Sequence, residues 1–312
     1  MIADALRGRD LLSLADFTLA ELTHVLDVAD YQKRTWSTGK RTSPLAGKAV
    51  AIVLQKPSMR TRVSFEVACA RLGAHPVIMG GPDGAFSRGE SVYDTTKVME
   101  RYVDAIVVRT YEHALVEQMA KVASVPVINA LTDDHHPCQG LADLLTIREH
   151  LGRLAGVRLA YVGDGNNMAH TYLLAGAITG MDVTMATPEG YEPAPSVVSH
   201  ARSLAGLSGG SVTLGHSAQD AVSGADVVIT DTWASMGQED EHDARLAVFE
   251  PFRVDRALMD RAATGALFMH CLPAHRGEEV TDEVMDGPGS VIFDEAENRL
   301  HAQKALLSLV MG

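Results

Sequence analysis

The sequence predicts an α/β protein of two doubly wound domains with mainly parallel sheets, linked by helices, with the active site in the cleft between them. Three observations lead there. The 312 residues are enough for roughly two domains at ~150 residues each. Short apolar runs alternate with helical periodicity along most of the chain, which is the order of βαβ units. Those runs are continuously apolar rather than alternating, as strands covered by helices on both faces should be.

In the first half, Thr18 and Glu21 form a capping box, and Leu19, Leu22, Val25, Leu26 and Ala29 follow at helical spacing. Next come a strand over 49–54, a helix over 61–72 stopped by Gly73, a strand at 76–79, a helix near 90–102 and a strand over 105–108. A helix over 112–123, a strand at 126–129 and a helix from about 139 to 151 close this series. The second series has strands at 158–164, 182–187, 211–215, 226–230 and 266–272, with helices near 167–179 and 217–223. Gly206, Ser208, Gly209 and Gly210 read as a Ser/Gly-rich loop. The domain boundary is expected in or beside the 139–151 helix. Residues 1–145 form the first domain, with the C-terminal helix at 295–312 packing back on it, and residues 146–294 form the second.

Composition narrows the function. Hydrophobic residues at 46% and charged residues at 21% are ordinary for a folded globular chain. Lys plus Arg total 27 against 40 Asp plus Glu, a net charge of −13, which is the wrong sign for a nucleic-acid or anionic-membrane binder. Any anion site must therefore be local. There is no apolar signal segment near the N-terminus and no 18-residue apolar run, so no membrane association and a cytoplasmic location are expected. Cys69, Cys138 and Cys271 are too few and too scattered for a disulfide framework.

Between a strand and a helix lies Lys56-Pro57-Ser58-Met59-Arg60-Thr61-Arg62, with three basic residues and no acid among the seven. Helix N-terminal amides, the hydroxyls of Ser58 and Thr61 and the Arg60 fork suit a phosphate. The alternative is plain helix capping with solvated arginines. The glycine spacing of a Walker loop is absent. Further polar residues stand at strand ends or helix starts, where open α/β sheets bind ligands: Arg109, His136 to Gln139, Asp231, and His270-Cys271. The turn Gly163-Asp164-Gly165-Asn166-Asn167-Met168 imitates a dinucleotide fingerprint without completing it, because Met168 replaces the third glycine and the 182–187 strand ends without an acid. No nicotinamide or other cofactor is expected.

Together these clusters resemble the aspartate/ornithine carbamoyltransferase family. Ser58 to Arg62 is similar to its S-x-R-T-R carbamoyl-phosphate loop and His136-Pro137-Cys138-Gln139 to H-P-x-Q. Asp231 to Gly237 is similar to the ornithine-specific D-x-x-x-S-M-G loop and His270-Cys271-Leu272-Pro273 to H-C-L-P, with Glu297-Asn298-Arg299 extending the likeness. The resemblance implies that Ser58, Met59, Arg60, Thr61, Arg109, His136, Gln139, Cys271, Leu272 and Arg299 bind carbamoyl phosphate. It puts Asn167, Asp231, Ser235 and Met236 on ornithine, and makes Arg60, Arg109, His136, Asp231 and Cys271 catalytic. It also implies a homotrimer or multiple of trimers with shared sites. The chain departs from the family at Ala85, where Gln or His usually reaches a neighbouring subunit, which leaves Ser87 or Arg88 to take over that contact.

The implied reaction is attack by the uncharged side-chain amine of L-ornithine on carbamoyl phosphate, giving L-citrulline and phosphate, by default toward arginine. The S-M-G loop is expected to close over ornithine about Gly237, with Glu239-Asp240-Glu241-His242-Asp243 as its solvated flank. Putrescine and N-acetylornithine remain alternative acceptors, and a non-catalytic binding protein of the same fold is the alternative of another class. No H-x-x-x-H helix or C-x-x-C pair supports a zinc enzyme, so no metal is expected in catalysis, although an accessible Cys271 thiolate could take zinc as an inhibitor.

Overall fold

The computed structural model describes residues 5–80, 86, 89–234 and 242–312. The chain divides into two compact units, one of Met1–Leu145 with Glu297–Gly312 and one of Thr146–Ala296. The first opens with α1 (Leu19–Ser37), whose capping box forms as expected: Thr18 N–H donates to Glu21 Oε2 at 2.8 Å, and Glu21 N–H to Thr18 Oγ1 at 3.3 Å. Leu22, Val25, Leu26 and Ala29 are buried, whereas Leu19, at the first helical position, stays exposed.

There follow β1 (Ala49–Leu54), α2 (Met59–Leu72), β2 (His75–Gly80), α3 (Val92–Met99), β3 (Ala105–Arg109), α4 (His113–Val122), β4 (Val127–Leu131) and α5 (Pro137–Leu151). The four strands form a parallel sheet in the order β2-β1-β3-β4. Ala51, Val53, Ile106 and Val108 on one sheet face pack with Met99, Val116 and Met119 from α3 and α4. The residues of β1 from Val50 to Leu54 are all buried, which explains why the run lacks polar alternation.

The second unit contains β5 (Arg158–Val162), α6 (Asn167–Thr179), β6 (Asp182–Ala186), α7 (Pro195–Ser208), β7 (Ser211–Gly215), α8 (Ala218–Val222), β8 (Val227–Thr230), α9 (His242–Phe249) and β9 (Leu267–His270). Its sheet is parallel, in the order β7-β6-β5-β8-β9. Every residue of α6 is buried, and its two threonines satisfy their hydroxyls internally: Thr171 on Asn167 O and Thr179 on Ala175 O, both at 2.7 Å. Two parallel-sheet α/β domains are therefore present, as the apolar-run pattern predicts.

α10 (Ile292–Val310) carries the chain back into the first unit. Asn298 Oδ1 accepts from Lys33 Nζ at 2.8 Å and Ser308 Oγ from Gln32 Nε2 at 2.9 Å, so α10 is fastened to α1.

The structure corrects the sequence reading in two places. Gly206 and Ser208 are helical rather than loop, because Val198, Ala201 and Ala205 give α7 a buried stripe and Gly209, at φ +84°, ends it. His242 and Asp243 begin α9, a helix the sequence reading did not place, although Asp243 stays fully exposed as a solvated flank should; Glu239 to Glu241 lie outside the described residues. Among the described residues no helix is long and apolar enough to cross a membrane.

Candidate active site

In an open parallel sheet the strand order reverses at one point, and the carboxyl ends beside that point bound a crevice suited to ligands. In the first unit the point lies between β1 and β3, and in the second between β5 and β8. The residues after β1, at the end of β3, after β5 and after β8 are those that the motifs single out.

After β1, Gln55 N–H donates to Arg109 O at 3.0 Å, which ties the loop to the end of β3. Lys56 is buried, bonds Asp133 Oδ1 at 2.7 Å and lies 4.5 Å from the Tyr111 ring centroid. Its charge holds the loop rather than facing solvent. Ser58 is the N-cap of α2, its hydroxyl accepting from Thr61 N–H at 3.2 Å, so capping occurs here alongside any ligand role. Met59 is 72% exposed at the helix start. Thr61 is fully buried, and its Oγ1 has no hydrogen-bond partner among the described residues. Arg62 pairs with Glu66 along the helix surface at 3.5 Å.

His136 is buried just before α5, and its imidazole is held well below the usual histidine range. Burial is the main cause, followed by the positive charges of Arg299, Arg109 and Arg60. The fold thus gathers three guanidinium groups around a neutral imidazole. That is a strongly anion-attracting arrangement inside a chain of net charge −13.

A buried chain of hydrogen bonds orients one of these guanidinium groups. Gln139 Nε2 donates to Asp143 Oδ1 at 2.7 Å, and Gln139 Oε1 accepts from Arg299 Nη1 at 2.8 Å. Arg299 Nε donates to Gln303 Oε1 at 2.9 Å, and Gln303 Nε2 to Ser64 Oγ at 2.8 Å. The chain links α5, α10 and α2. Cys138 beside it is inert, because burial pushes its thiol up to about 12.

In the second unit, the turn after β5 holds Gly163 at φ +148° and Gly165, where an added Cβ would lie 2.4 Å from backbone atoms of Tyr191, Glu192 and Pro193. Gly165→Ala is expected to cost about 1–3 kcal/mol by forcing these backbones apart. Comparison of Tm with the unsubstituted protein checks this, and an unchanged Tm would refute it.

Asn166 rather than Asn167 caps α6, its Oδ1 accepting from Met168 and Ala169 N–H, and its Nδ2 donates to Asp231 Oδ2 at 2.9 Å. Cys271 Sγ, just past β9, lies 3.2 Å from Asp231 Oδ1. Asp231 is therefore a buried carboxylate bracketed by an amide and a thiol. Asn167 is itself buried at the first turn of α6.

Nearby, Arg245 Nη1 on α9 donates to Asp164 Oδ2 and Trp233 O, both at 2.9 Å. Burial nonetheless pushes the Asp164 carboxyl up to about 6, with Arg245 pulling it the other way. Ser235, Met236 and Gly237, and likewise Ala85, Ser87 and Arg88, lie outside the described residues.

The Cys271 turn is fixed from within. Leu272 takes φ +59°, and its N–H donates to His270 Nδ1 at 2.9 Å. His270 Nε2 therefore carries the proton and donates to Glu279 Oε1 at 3.1 Å, with both side chains fully buried. His270 N–H donates in turn to Glu295 Oε2 at 2.9 Å. With both ring nitrogens engaged, His270 is not available as a metal ligand beside Asp231 and Cys271, although the three offer ligand atoms within 4.8 Å of one another. Sequence reasoning missed Arg245, Glu279 and Asp143, and it marked the asparagines of the Gly163–Met168 turn as possible ligand donors without placing the Asn166 bond to Asp231. Only Asn166 had a local signal, as a helix N-cap.

Comparison with known proteins agrees with this geometry. Residues 9–149 match the family model described as the aspartate/ornithine carbamoyltransferase carbamoyl-P binding domain, and residues 155–310 match the Asp/Orn binding domain of the same family. The chain is 54% identical over 308 residues to an ornithine carbamoyltransferase of Pyrococcus abyssi, covering 99% of this chain and 97% of that one. It is also 54% identical over 308 residues to the anabolic ornithine carbamoyltransferase of Pyrococcus furiosus, covering 99% and 98% of the two. The solved structure of the Pyrococcus furiosus enzyme superposes with a TM-score of 0.96 over 98% of each chain at 54% identity. That of the Gloeobacter violaceus enzyme gives 0.88 at 48% identity over 98% and 100%.

Proposed function

The chain belongs to the aspartate/ornithine carbamoyltransferase family, and on that premise we propose that it transfers the carbamoyl group of carbamoyl phosphate to the side-chain amine of L-ornithine, giving L-citrulline and phosphate. The observation that carries the reading is the cluster of Arg60, Arg109 and Arg299 around a neutral His136. A dianionic phosphate and a polarised carbonyl oxygen need this kind of donor set.

Ser58, Met59, Arg60 and Thr61 take the phosphate through the α2 amides and side chains. Arg60, Thr61, Arg109 and His136 also stabilise the oxyanion of the tetrahedral intermediate, which the neutral imidazole does by donating its single N–H. Arg299, steadied by Gln139, neutralises charge on the leaving phosphate, and Cys271 and Leu272 complete the carbamoyl-phosphate set. Asn167, Asp231, Ser235 and Met236 hold ornithine, Asp231 by its carboxylate. Cys271 and Asp231 position the attacking amine. No covalent enzyme intermediate forms, and rate enhancement comes from orienting two reactants and from fixed donors.

A relative named as anabolic supports the direction toward arginine. We further propose a homotrimer, or a multiple of trimers, in the cytoplasm. Exposed Tyr93, Val98 and Tyr102 on and beside α3 support burial of that face against another copy. Sedimentation of the purified protein tests this, and a monomer at micromolar concentration would refute it.

The deciding experiment supplies carbamoyl phosphate with ornithine, putrescine, N-acetylornithine or aspartate in parallel and quantifies each ureido product. Citrulline from ornithine alone is the expected result. A different ureido product would overturn the assignment of Asp231, and no product would overturn the enzymatic reading.

The attacking amine has an ordinary pKa of ~10.4, so only about one molecule in 2,500 is uncharged at pH 7. The rate under chemistry-limited conditions is expected to rise up to about tenfold per pH unit toward alkaline pH. His136, already neutral, does not contribute this limb. A flat profile from about pH 6 to 9 with chemistry limiting would contradict the mechanism.

A further inference from the structure

The turn that follows Pro273 carries His275, Glu278 and Glu279, which offer ligand atoms all within 4.8 Å of one another. His275 Nδ1 lies 3.8 Å from Glu278 Oε2 and 3.9 Å from Glu279 Oε2. A fourth donor comes from the start of α9, where His242 Nε2 is 3.1 Å from Glu278 Oε2. All four residues belong to the second unit.

Glu279 is the informative member. Its Oε1 accepts from His270 Nε2 and from His275 N–H, whereas its Oε2 is buried without a hydrogen-bond partner among the described residues. A fully buried carboxylate oxygen left unpaired is costly unless a cation or donor meets it. The cluster borders solvent through His242 and His275, which are about two-fifths exposed, so an ion needs only side-chain movement there to reach the buried oxygen.

We propose that His242 Nε2, His275 Nδ1, Glu278 and Glu279 Oε2 form a binding site for a zinc-class divalent transition-metal cation. Tetrahedral coordination at about 2.1 Å sets neighbouring donor atoms about 3.4 Å apart. The observed 3.8 and 3.9 Å about His275 require shifts of only a few tenths of an ångström, whereas His242, 3.1 Å from Glu278 but with its ring centroid 6.5 Å from that of His275, must swing toward His275 and Glu279 to complete the shell. Two imidazoles and two carboxylates suit zinc or cobalt better than calcium, which takes oxygen ligands alone. His242 Nδ1 lies 3.5 Å from Asp243 Oδ1, the carboxylate partner that orients many metal-binding histidines. Four protein ligands leave no open position, so the ion is structural: it joins the first residue of α9 to the turn whose Glu279 holds His270.

The test titrates metal-stripped full-length protein with Zn²⁺ and with Co²⁺. Cys271→Ser is included to remove thiolate binding at the Asp231–Cys271 pair. The expected result is one equivalent of Co²⁺ per chain in Cys271→Ser, with the visible absorption of a tetrahedral ion, no sulfur-to-metal charge-transfer band, and displacement by Zn²⁺. His275→Ala and Glu278→Gln, each in the Cys271→Ser background, should each weaken binding on the order of a hundredfold, and His242→Ala there at least about tenfold. Circular dichroism of the metal-free variants verifies folding, and His242→Ala, at a helix start, gives an independent reading should His275→Ala fail to fold. Loss of all stoichiometric binding in Cys271→Ser would overturn the proposal, as would affinity unchanged in folded His242→Ala and Glu278→Gln.

Discussion

Arg60→Gln is expected to lower kcat/KM by about 10³- to 10⁵-fold. Loss of a donor to the developing oxyanion costs about 10²–10³. Loss of a charge-assisted phosphate contact costs a further ~1.5–3 kcal/mol, about another one to two powers of ten. Arg60 is only partly buried and sits at a helix N-terminus, so the fold should survive. Equal thermal unfolding of the two proteins, with steady-state kinetics and calorimetric titration of carbamoyl phosphate, separates a chemical loss from a structural one. A change in kcat/KM under tenfold would remove Arg60 from the site. Lysine should restore little, because a point charge cannot reproduce the planar fork.

Asp231→Asn is expected to reduce kcat/KM for ornithine by about 10²- to 10³-fold, with carbamoyl-phosphate affinity changed little. The substitution keeps shape but removes the charge opposite an ammonium group. It also turns an NH₂ toward either Asn166 Nδ2 or the Cys271 thiol, both of which now donate to the carboxylate. The two ligands are expected to respond differently because the arginine cluster and Asp231 belong to separate units, each built on its own sheet. Equal weakening of both ligands, with an unchanged Tm, would count against Asp231 as an ornithine residue.

What could be read from the sequence was whatever is encoded locally. The Thr18–Glu21 box, the apolar runs that became nine strands among the described residues and the polar clusters at strand ends all lie within a few neighbouring residues. α7 escaped because its last turn carries Gly206 and Ser208 before Gly209, a composition that suggests a loop. The stripe of Val198, Ala201 and Ala205 shows as helical only once burial is known. The contacts that aim the site escaped for another reason. Asn166 meets Asp231 across 65 positions, Arg245 meets Asp164 across 81, and Arg299 meets Gln139 across 160. No periodicity spans such distances. The motifs therefore marked the groups resembling known ligand residues, while the partners that fix their protonation and direction emerged only from the folded chain.

The passage of α10 back into the first unit has a bearing on how the enzyme is made. A ribosome releases the chain from its N-terminus, and domains generally fold as they emerge. Here residues 1–145 leave first, yet the arginine cluster at His136 still lacks Arg299, and Gln139 still lacks its guanidinium partner, until all of Thr146–Ala296 has followed. The second unit is complete in sequence before the first. A nascent chain halted anywhere before residue 299 can present the α2 loop and His136 but not the full positive cluster.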